Sequence, residues 1–481
     1  MKKTLKQTRR IAAILLCMCL VFAMVPAAAF AGTETQDLEV SADKNGRYTY
    51  KEGKVKITSG GSYSISMAEN VKTTTDSIEI GEGLEVYLSL YRVSIDLSSK
   101  GREEEKEDGK YVALKIGEGA KVNLEIGFGG TLKSGRASAG IELAENAELT
   151  ITSFGGSYGI LTVAGGGSGA GIGGPVGSKG SKGGKVTIED GTINATGGNI
   201  GGAGIDAGEV IINDGIVYAT GGTNGGAGIG GSFATRDGGT VTINNGKVTA
   251  RGNDGGAGIG GASFGNGGTV NINGGFVAAS GFDGDSLGGA GIGSGNAFEA
   301  PETHPDYGKG NGGIVNINGG TVVAEGGKGC VGIGGSLKGA DVTIKGGSVR
   351  AEGGFYSDDP KRADGIGAGP MGDKPGTLTI VPQGSSYIVN VGTGSSAASQ
   401  IEGSPFETQA EISKRVKGNP YFGCRQSLLT VTGGQEGRDY KFEDDVLRID
   451  NGGAYVVSMA NNALATRECI SINAKEAVEL T

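Results

Sequence analysis

The stretch GGTVNINGGFVAASG, residues 267–281, contains the pattern that decides the fold. Apolar residues alternate with other residues on both sides of a Gly-Gly pair, which predicts two half-buried strands joined at a turn. Glycine tolerates the left-handed backbone conformation that such a tight corner needs. The same pattern, V-x-I-x-[D/N/G]-G-x-[V/I]-x-A, fits six segments without a gap: 186–195, 210–219, 241–250, 270–279, 315–324 and 342–351.

A second motif, GAGIGG, lies between these segments and predicts a third short strand. Most of the length variation falls between GAGIGG and the next V-x-I, so the strands are constant and one corner varies. Constant strands with one variable corner predict a parallel β-solenoid with three short strands per coil. Because N-G and G-G pairs also mark hairpins, an antiparallel hairpin array is the alternative. The motif and its near copies begin at residues 169, 202, 226, 256, 289 and 331.

The coils extend beyond the glycine-rich part of the chain. Segments 78–86, 114–122 and 141–149 repeat the alternation with fewer glycines, and segment 378–391 is expected to close the stack. The predicted organisation is N-terminal strands over 32–77, glycine-poor coils over 78–165 and glycine-rich coils over 166–391. A connecting segment follows over 392–434, where the residues from Ser404 onward predict a short capping helix.

The N-terminal and C-terminal parts of the chain share a less obvious sequence repeat. Residues 48–88 align with residues 440–480 at a constant offset of 392, which pairs Tyr48 with Tyr440 and Tyr63 with Tyr455. Glycine pairs, an S-M-A triplet and alternating isoleucines match at the same offset. Residues 435–481 are therefore predicted to begin a second, incomplete solenoid.

Residues 1–31 have the features of a secretory signal peptide. Five basic residues precede an apolar run over 11–25, and the small residues around Ala29 and Ala31 predict cleavage after Ala31. The apolar run is short for a membrane anchor, and no later stretch is long and apolar enough to span a bilayer. We therefore expect the mature chain to be extracellular or at the cell surface, without membrane insertion.

Charge and cysteine content narrow the classes of partner. The net charge is −9, and removing the basic signal makes the mature chain more acidic. This argues against nucleic acid and anionic membranes as partners and permits calcium. The three cysteines beyond the signal, Cys330, Cys424 and Cys469, are too widely spaced to indicate a disulfide framework or a zinc site. A single histidine, His304, makes histidine-dependent catalysis unexpected.

The alternation of GAGIGG with GGxVxIxGGxVxAxGG over residues 48–391 resembles a known group of proteins. It is similar to secreted right-handed parallel β-helix proteins of Gram-positive bacteria, with a pectate-lyase-like fold, that are described as carbohydrate-binding-domain surface proteins. The resemblance implies a non-catalytic, calcium-dependent binder of polysaccharide. The acids that hold calcium in that group have no residue-by-residue match here. The clustered aspartates of polygalacturonases have no counterpart either, and a calcium-dependent polysaccharide lyase is the enzymatic alternative.

Candidate ligand-binding residues lie in the segments that vary between coils. Aromatic rings beside carboxylates suit sugars, since rings stack on sugar faces and carboxylates accept hydrogen bonds from hydroxyls. Asp283 and Asp285 have a D-x-D spacing that could place two carboxylates on one calcium ion. Solvated turns and ordinary surface loops are the competing interpretations. The carbohydrate-binding candidates are Phe233, Phe264, Phe282, His304, Asp306 and Tyr307.

Two sets of residues that recur at fixed positions of the repeat are predicted to have structural roles rather than roles in catalysis. If Ala227 and Ile229 point inward, Gly226, Gly228 and Gly230 form an outward strip that has no side chains for catalysis. Asparagines recur at one repeat position, and stacked amides can form hydrogen bonds up such a column. This column contains Asn213, Asn244, Asn273 and Asn318, flanked by Glu189 and Lys345.

These observations together predict a secreted, non-catalytic β-solenoid with no catalytic residues. Its expected partner is an extended polysaccharide or glycan, with cell-wall components as further candidates and calcium as the one candidate cofactor. The alternatives are a structural stalk or adhesin spacer, or a polysaccharide lyase.

Overall fold

The computed structural model describes residues 36–101, 110–155, 159–175, 184–232, 237–281, 288–297, 310–355, 362–369, 372, 374, 376–381, 387–390, 400–401, 421–426, 429–435, 438–443, 446–459 and 469–481. The predicted signal peptide and the predicted capping helix lie outside these residues.

Most strands belong to three sheets of 12 strands each, and successive coils add one strand to each sheet. Sheet A contains β1 (Leu38–Ala42), β4 (Gly61–Met67), β6 (Glu85–Tyr91), β9 (Lys121–Ile126), β12 (Glu148–Ser153), β15 (Lys185–Ile188), β18 (Glu209–Ile212), β21 (Thr240–Ile243), β24 (Thr269–Ile272), β27 (Ile314–Ile317), β30 (Asp341–Ile344) and β33 (Thr377–Ile380). Sheet B contains β2 (Tyr48–Lys51), β3 (Lys54–Ile57), β5 (Ser77–Ile80), β8 (Leu114–Ile116), β11 (Ile141–Leu143), β14 (Ile172–Gly173), β17 (Ile205–Asp206), β20 (Ile229–Gly230), β23 (Ile259–Gly260), β26 (Ile292–Gly293), β29 (Ile333–Gly335) and β32 (Ile366–Ala368).

Sheet C lies between the end of each sheet A strand and the following sheet B strand. Its strands are β7 (Ser94–Asp96), β10 (Gly130–Lys133), β13 (Ile160–Ala164), β16 (Thr192–Thr196), β19 (Ile216–Thr220), β22 (Lys247–Arg251), β25 (Phe276–Ser280), β28 (Thr321–Glu325), β31 (Ser348–Glu352), β36 (Tyr421–Gln426), β34 (Tyr387–Asn390) and β35 (Gln400–Ile401).

The coils stack in parallel, with equivalent residues of the repeat directly opposite one another. Val241 pairs with Val210 in the preceding coil and with Val270 in the following coil, and this register continues to Val315 and Val342. The parallel solenoid predicted from the sequence is therefore confirmed, and the antiparallel hairpin alternative is wrong.

Antiparallel pairing among the three sheets covers the ends of the stack. At the N-terminal end, β1 pairs with β4 and β2 pairs with β3. At the C-terminal end, β36 pairs with β31 and with β34, so a strand from the predicted connecting segment covers sheet C. Segment 378–391 was predicted to close the stack. This is correct in sheet A, where β33 is the last strand. In sheet C, β36 lies between β34 and β31, the last parallel strand.

Stacked aliphatic side chains form one continuous core inside the coils. Val270, Ile272, Val277 and Ala279 of the repeat unit at 267–281 are each at most 2 % exposed. Burying a valine or isoleucine side chain stabilises a fold by about 1.5–3 kcal/mol relative to leaving it exposed. Because a single coil has no partner for its inward face, this stabilisation depends on stacking.

The expected outward glycine strip is not a free surface. Gly226, Gly228 and Gly230 are buried, and a Cβ on Gly228 would lie 2.6 Å from both the Arg251 nitrogen and the Gly258 oxygen. Gly228 thus packs against the end of a sheet C strand and against the neighbouring coil. The chain that leads into a sheet A strand packs on the third glycine position, since a Cβ on Gly238 would lie 2.8 Å from the Gly260 carbonyl carbon. Glycine is required here because backbone packs on backbone.

The C-terminal residues repeat the N-terminal strand pairing. Tyr440 pairs with Ile449 as Tyr48 pairs with Ile57, each in an antiparallel ladder and at the offset of 392. Ile472 is 50 % exposed, whereas the equivalent Ile80 is 1 % exposed beneath the next coil. These residues thus repeat the antiparallel and parallel strand pairings with which the first solenoid begins. The strands are β37 (Leu429–Thr432), β38 (Tyr440–Glu443), β39 (Val446–Ile449), β40 (Gly453–Met459), β41 (Cys469–Ile472) and β42 (Val478–Leu480).

Candidate functional site

Of the candidate site residues predicted from the sequence, the structure describes only Phe264. Its backbone lies in the left-handed region with a φ of 64°, and its N–H donates a hydrogen bond of 2.8 Å to the Asn296 carbonyl. The ring is half-buried, so it remains a candidate. The others lie outside the described residues and stay predictions: Phe233, Phe282, Asp283, Asp285, His304, Asp306 and Tyr307.

One line along the solenoid brings together polar and aromatic side chains from nine coils. We call it the corner edge, because it follows the turn between each sheet A strand and the next sheet C strand. The pairing of sheet A strands sets the register at the start of each turn, and the pairing of sheet C strands sets it at the end of each turn from residue 192 onward. The turn that begins at 152 has more residues, since Ile160 rather than Gly155 pairs with Thr192. The corner edge consists of residues 89–92, 125–128, 152–155, 189–192, 213–216, 244–247, 273–276, 318–321 and 345–348.

The predicted asparagine column forms a continuous hydrogen-bonded ladder on this edge. The Nδ2 groups of Asn244, Asn273 and Asn318 each donate to the Oδ1 atom of the preceding asparagine, at 2.7, 2.7 and 2.8 Å. At the N-terminal end, Asn213 Nδ2 donates to Glu189 Oε1 at 2.9 Å. Since each amide has two N–H groups and two lone pairs, every rung retains hydrogen-bonding capacity toward solvent.

Apolar side chains flank the ladder at the start of the sheet C strands. Ile216 is 36 % exposed and Phe276 is 39 % exposed, and Lys247 lies between them in register. A glycine with positive φ precedes each flanking residue and turns it toward the ladder, with Gly215, Gly246 and Gly275 at φ values of 97°, 88° and 77°. A Cβ on Gly275 would lie 2.5 Å from the Gly246 carbonyl oxygen, so the corner itself leaves no room for a side chain.

Aromatic rings occupy the same edge in the glycine-poor coils. Tyr91 and Phe128 are 44 % and 52 % exposed, and their rings meet edge to face with centroids 6.0 Å apart. The Arg92 guanidinium carbon lies 5.5 Å from the Tyr91 ring centroid. Phe154, at the equivalent corner one coil further, is 39 % exposed. Exposed aromatic rings that contact one another form an apolar surface on which a planar or ring-shaped ligand can stack.

The sequence reasoning missed these three aromatic residues because it searched the long inserts of the glycine-rich coils. A signal was present, however. Each ring follows closely on the last inward residue of its sheet A strand, as in Leu90-Tyr91 and Ser153-Phe154. Aligning the glycine-poor coils with the asparagine column would have placed all three rings on one edge.

The side chains of Glu142 and Cys330 have raised pKa values, and both lie away from the corner edge. Burial raises the pKa of Glu142, and nearby Lys115 lowers it in part, with the Lys115 Nζ and Glu142 Oε1 atoms 3.4 Å apart. Burial raises the pKa of the Cys330 thiol to about 12, so this thiol stays protonated at neutral pH. Both side chains are at most 2 % exposed and lie out of reach of a polymer on the surface.

In the described part of the chain, no group of three or more His, Cys, Asp or Glu side chains is placed to hold a metal ion. None of the described residues forms a helix with the length and apolar character needed to cross a membrane.

Comparison with known proteins supports the coil pattern. Six segments match the Beta helix repeat family: residues 186–209, 210–233, 241–263, 270–296, 315–337 and 342–370. No curated protein matches the chain, and no solved structure matches it either. Each matched segment contains a sheet A strand and a sheet C strand followed by a GAGIGG-type strand of sheet B. The repeat matches and the three stacked parallel sheets together make this chain a right-handed parallel β-helix.

Proposed function

We propose that this protein is a secreted or cell-surface, non-catalytic β-solenoid that binds an extended polysaccharide along the corner edge. The observation that carries the proposal is the register of aromatic rings and amides on one edge. Tyr91, Phe128 and Phe154 precede the Glu189–Asn318 ladder on the same line of consecutive coils. A polymer that lies parallel to the solenoid axis would meet both.

The two parts of the edge supply the two interactions that sugars use. A sugar ring presents C–H groups on its faces and hydroxyls at its rim, so it stacks on aromatic rings and exchanges hydrogen bonds with amides. Successive coils repeat at about 4.8 Å, which offers one amide per coil to a repeating ligand. Because the ladder already holds each amide in place, little side-chain entropy is lost on binding.

A non-catalytic role fits the chemistry of the described edge. Glu125 accepts a hydrogen bond from Ser89 Oγ at 2.8 Å, and Glu189 accepts one from Asn213. The buried Glu142 is inaccessible to a polymer on the surface. The proposal therefore assigns these acids to the hydrogen-bonding edge.

Localisation and calcium belong to the proposal as well. Residues 1–31 would direct secretion, with cleavage after Ala31, and the ligand would be a glycan outside the cell or a cell-wall component. Calcium would act at Asp283 and Asp285, where two carboxylates have a spacing that suits one ion.

A structural stalk or spacer is the second candidate function. The continuous aliphatic core and the cap-like start of a second solenoid favour it, since both suit a rigid rod that joins units. A stalk needs no ligand, so the exposed rings at 91, 128 and 154 distinguish the two candidates.

Affinity electrophoresis on a panel of polysaccharides tests the proposal, with and without a calcium chelator. The panel includes glucomannan, xylan, methyl-esterified homogalacturonan, polygalacturonate and peptidoglycan. We expect retardation by at least one polysaccharide and at least tenfold weaker binding by the variant Tyr91→Ala/Phe128→Ala. Tyr48→Ala is the matched control, because Tyr48 is a 38 % exposed ring away from the edge. Retention on none of the panel would favour the stalk, and release of unsaturated uronates would favour the lyase.

A further inference from the structure

We infer that the corner edge accepts an uncharged glycan and rejects a polyuronate. This inference rests on the proposed function and adds the charge class of the ligand. It comes from the distribution of charged side chains along the edge, which is uneven.

Four carboxylates lie on the edge within four consecutive coils. They are Glu125, Glu189, Asp190 and Asp214. Their polar partners are neutral donors: Ser89 Oγ for Glu125, Asn213 Nδ2 for Glu189, the Ser153 N–H for Asp190 and the Gly215 N–H for Asp214.

The negative charge of this stretch is not neutralised by nearby cations. None of the ion pairs formed among the described residues includes any of these four carboxylates. The described cations of the edge lie outside the acidic stretch, with Arg92 in the coil before it, Lys247 in the coil after it and Lys345 at the far end of the ladder. The acidic stretch therefore overlaps the coils of Phe128 and Phe154 and the first rungs of the amide ladder.

A ligand that contacts both the rings and the ladder has to cross these carboxylates. Phe154 lies between Glu125 in the preceding coil and Glu189 and Asp190 in the following coil. A carboxylate on each sugar would face like charges within one or two strand spacings of about 4.8 Å. Since like charges at this separation repel, a polyuronate would bind only where salt screens the repulsion.

Neutral sugars avoid this cost and gain from the same side chains. A carboxylate is a strong hydrogen-bond acceptor for hydroxyl donors. The acidic stretch would therefore bind the hydroxyls of a neutral glycan and exclude an anionic glycan. Hydrogen bonds to the carboxylates attract the first ligand, and charge repulsion rejects the second.

The test compares polysaccharides that differ only in charge. Polygalacturonate is paired with its methyl-esterified form, and glucomannan with its derivative carrying C6 carboxylates. At about 10 mM salt, where charges act over about 30 Å, we expect wild-type protein to bind each neutral member at least tenfold more tightly. At about 1 M salt, where the range falls to about 3 Å, this ratio should shrink several-fold.

Variants assign the effect to the edge. Asp190→Asn/Asp214→Asn should reduce the low-salt ratio at least threefold, whereas Glu118→Gln/Glu145→Gln should leave it unchanged. The control removes two exposed carboxylates from consecutive coils at a different corner. Equal binding of neutral and charged members at low salt would overturn this inference alone. Binding to none of the four polysaccharides, and to neither xylan nor peptidoglycan, would overturn the proposed function and this inference with it.

Discussion

Tyr63 and Tyr455 occupy the same position in two copies of one cap unit, 392 residues apart. Each ring is 2 % exposed, and each hydroxyl donates a hydrogen bond to the carbonyl four residues earlier, at 2.8 Å to Ser59 and 2.9 Å to Asn451. In both copies the tyrosine stands two residues after the glycine that begins the sheet strand. The repeated hydrogen bond indicates that this tyrosine holds the cap unit closed.

The substitution Tyr455→Phe tests this role in the C-terminal unit. Removing the hydroxyl leaves the Asn451 carbonyl without this donor and should lower the free energy of unfolding by about 1 kcal/mol. Urea unfolding followed by hydrogen exchange in residues 438–459 measures the loss locally. Tyr63→Phe should cause a similar loss at the N-terminal end only. A loss shared equally by both ends for either variant would contradict two separate cap units.

The asparagine ladder should contribute stability through shared amides. Asn244→Ala removes two side-chain hydrogen bonds, one to Asn213 and one from Asn273, and should cost about 1–2 kcal/mol. Asn245→Ala is the control, since Asn245 is the exposed next residue in the same turn. Denaturant midpoints of the two variants measure the difference. Equal midpoints would show that the ladder adds nothing to stability.

The buried glycines of sheet B should be intolerant of any side chain. In Gly260→Ala, the new Cβ would lie 1.9 Å from the Gly293 oxygen at a φ of 134°. Overpacking and backbone strain together should cost about 3 kcal/mol or more. Gly83→Ala has a φ of 65° with nothing within 4 Å of the new Cβ, so its cost should be about 1–2 kcal/mol. Thermal unfolding of both variants checks this order.

An ion pair between Arg362 and Glu352 contacts the C-terminal covering strand β36 at Tyr421, and it should make the attachment of this strand sensitive to acid. Arg362 donates to Glu352, and its guanidinium carbon lies 3.4 Å from the Phe355 ring centroid and 5.0 Å from that of Tyr421. Burial alone would raise the pKa of Glu352, but hydrogen bonds from Arg362 and Arg350 outweigh it and hold the pKa below its usual value.

The sign of the pH effect follows from this lowered pKa. Because the folded pKa of Glu352 is below the unfolded value of about 4.3, its contribution to stability is present above about pH 4.3 and is lost as the pH falls through the folded pKa. Glu352→Gln should therefore reduce the loss of stability between pH 7 and pH 3. Glu325→Gln changes an exposed residue at the same register position and is the control. Urea midpoints at both pH values give the comparison.

Much of the fold could be predicted from the order of residues along the chain. The V-x-I segments and the Gly-Gly turns identify the strands of sheets A and C, since alternation and turn chemistry are local properties. The offset of 392 identified the second cap unit for the same reason. The outer layer over sheet B could not be predicted, because it depends on contacts between different coils.

The candidate site could likewise be predicted from the sequence only in part. The asparagine column was visible as a repeat position, whereas Tyr91, Phe128 and Phe154 follow different local patterns and fall on its line only when the glycine-poor coils are aligned with it. Stacking in register places them on the same edge. Seven of the predicted sugar-binding and metal-binding positions, Phe233 and the six from Phe282 to Tyr307, stay predictions because they lie outside the described residues.

By itself, the sequence determined that this protein is a parallel β-helix with asparagines stacked at one corner. Periodic aliphatic and glycine residues are sufficient for this, because each coil can bury its inward face only against an identical neighbour. Only the tertiary structure decided that the glycine strip is covered and that the corner edge is open. Which face stays exposed depends on where the chain crosses between coils, and that path is set by packing between residues far apart in the sequence.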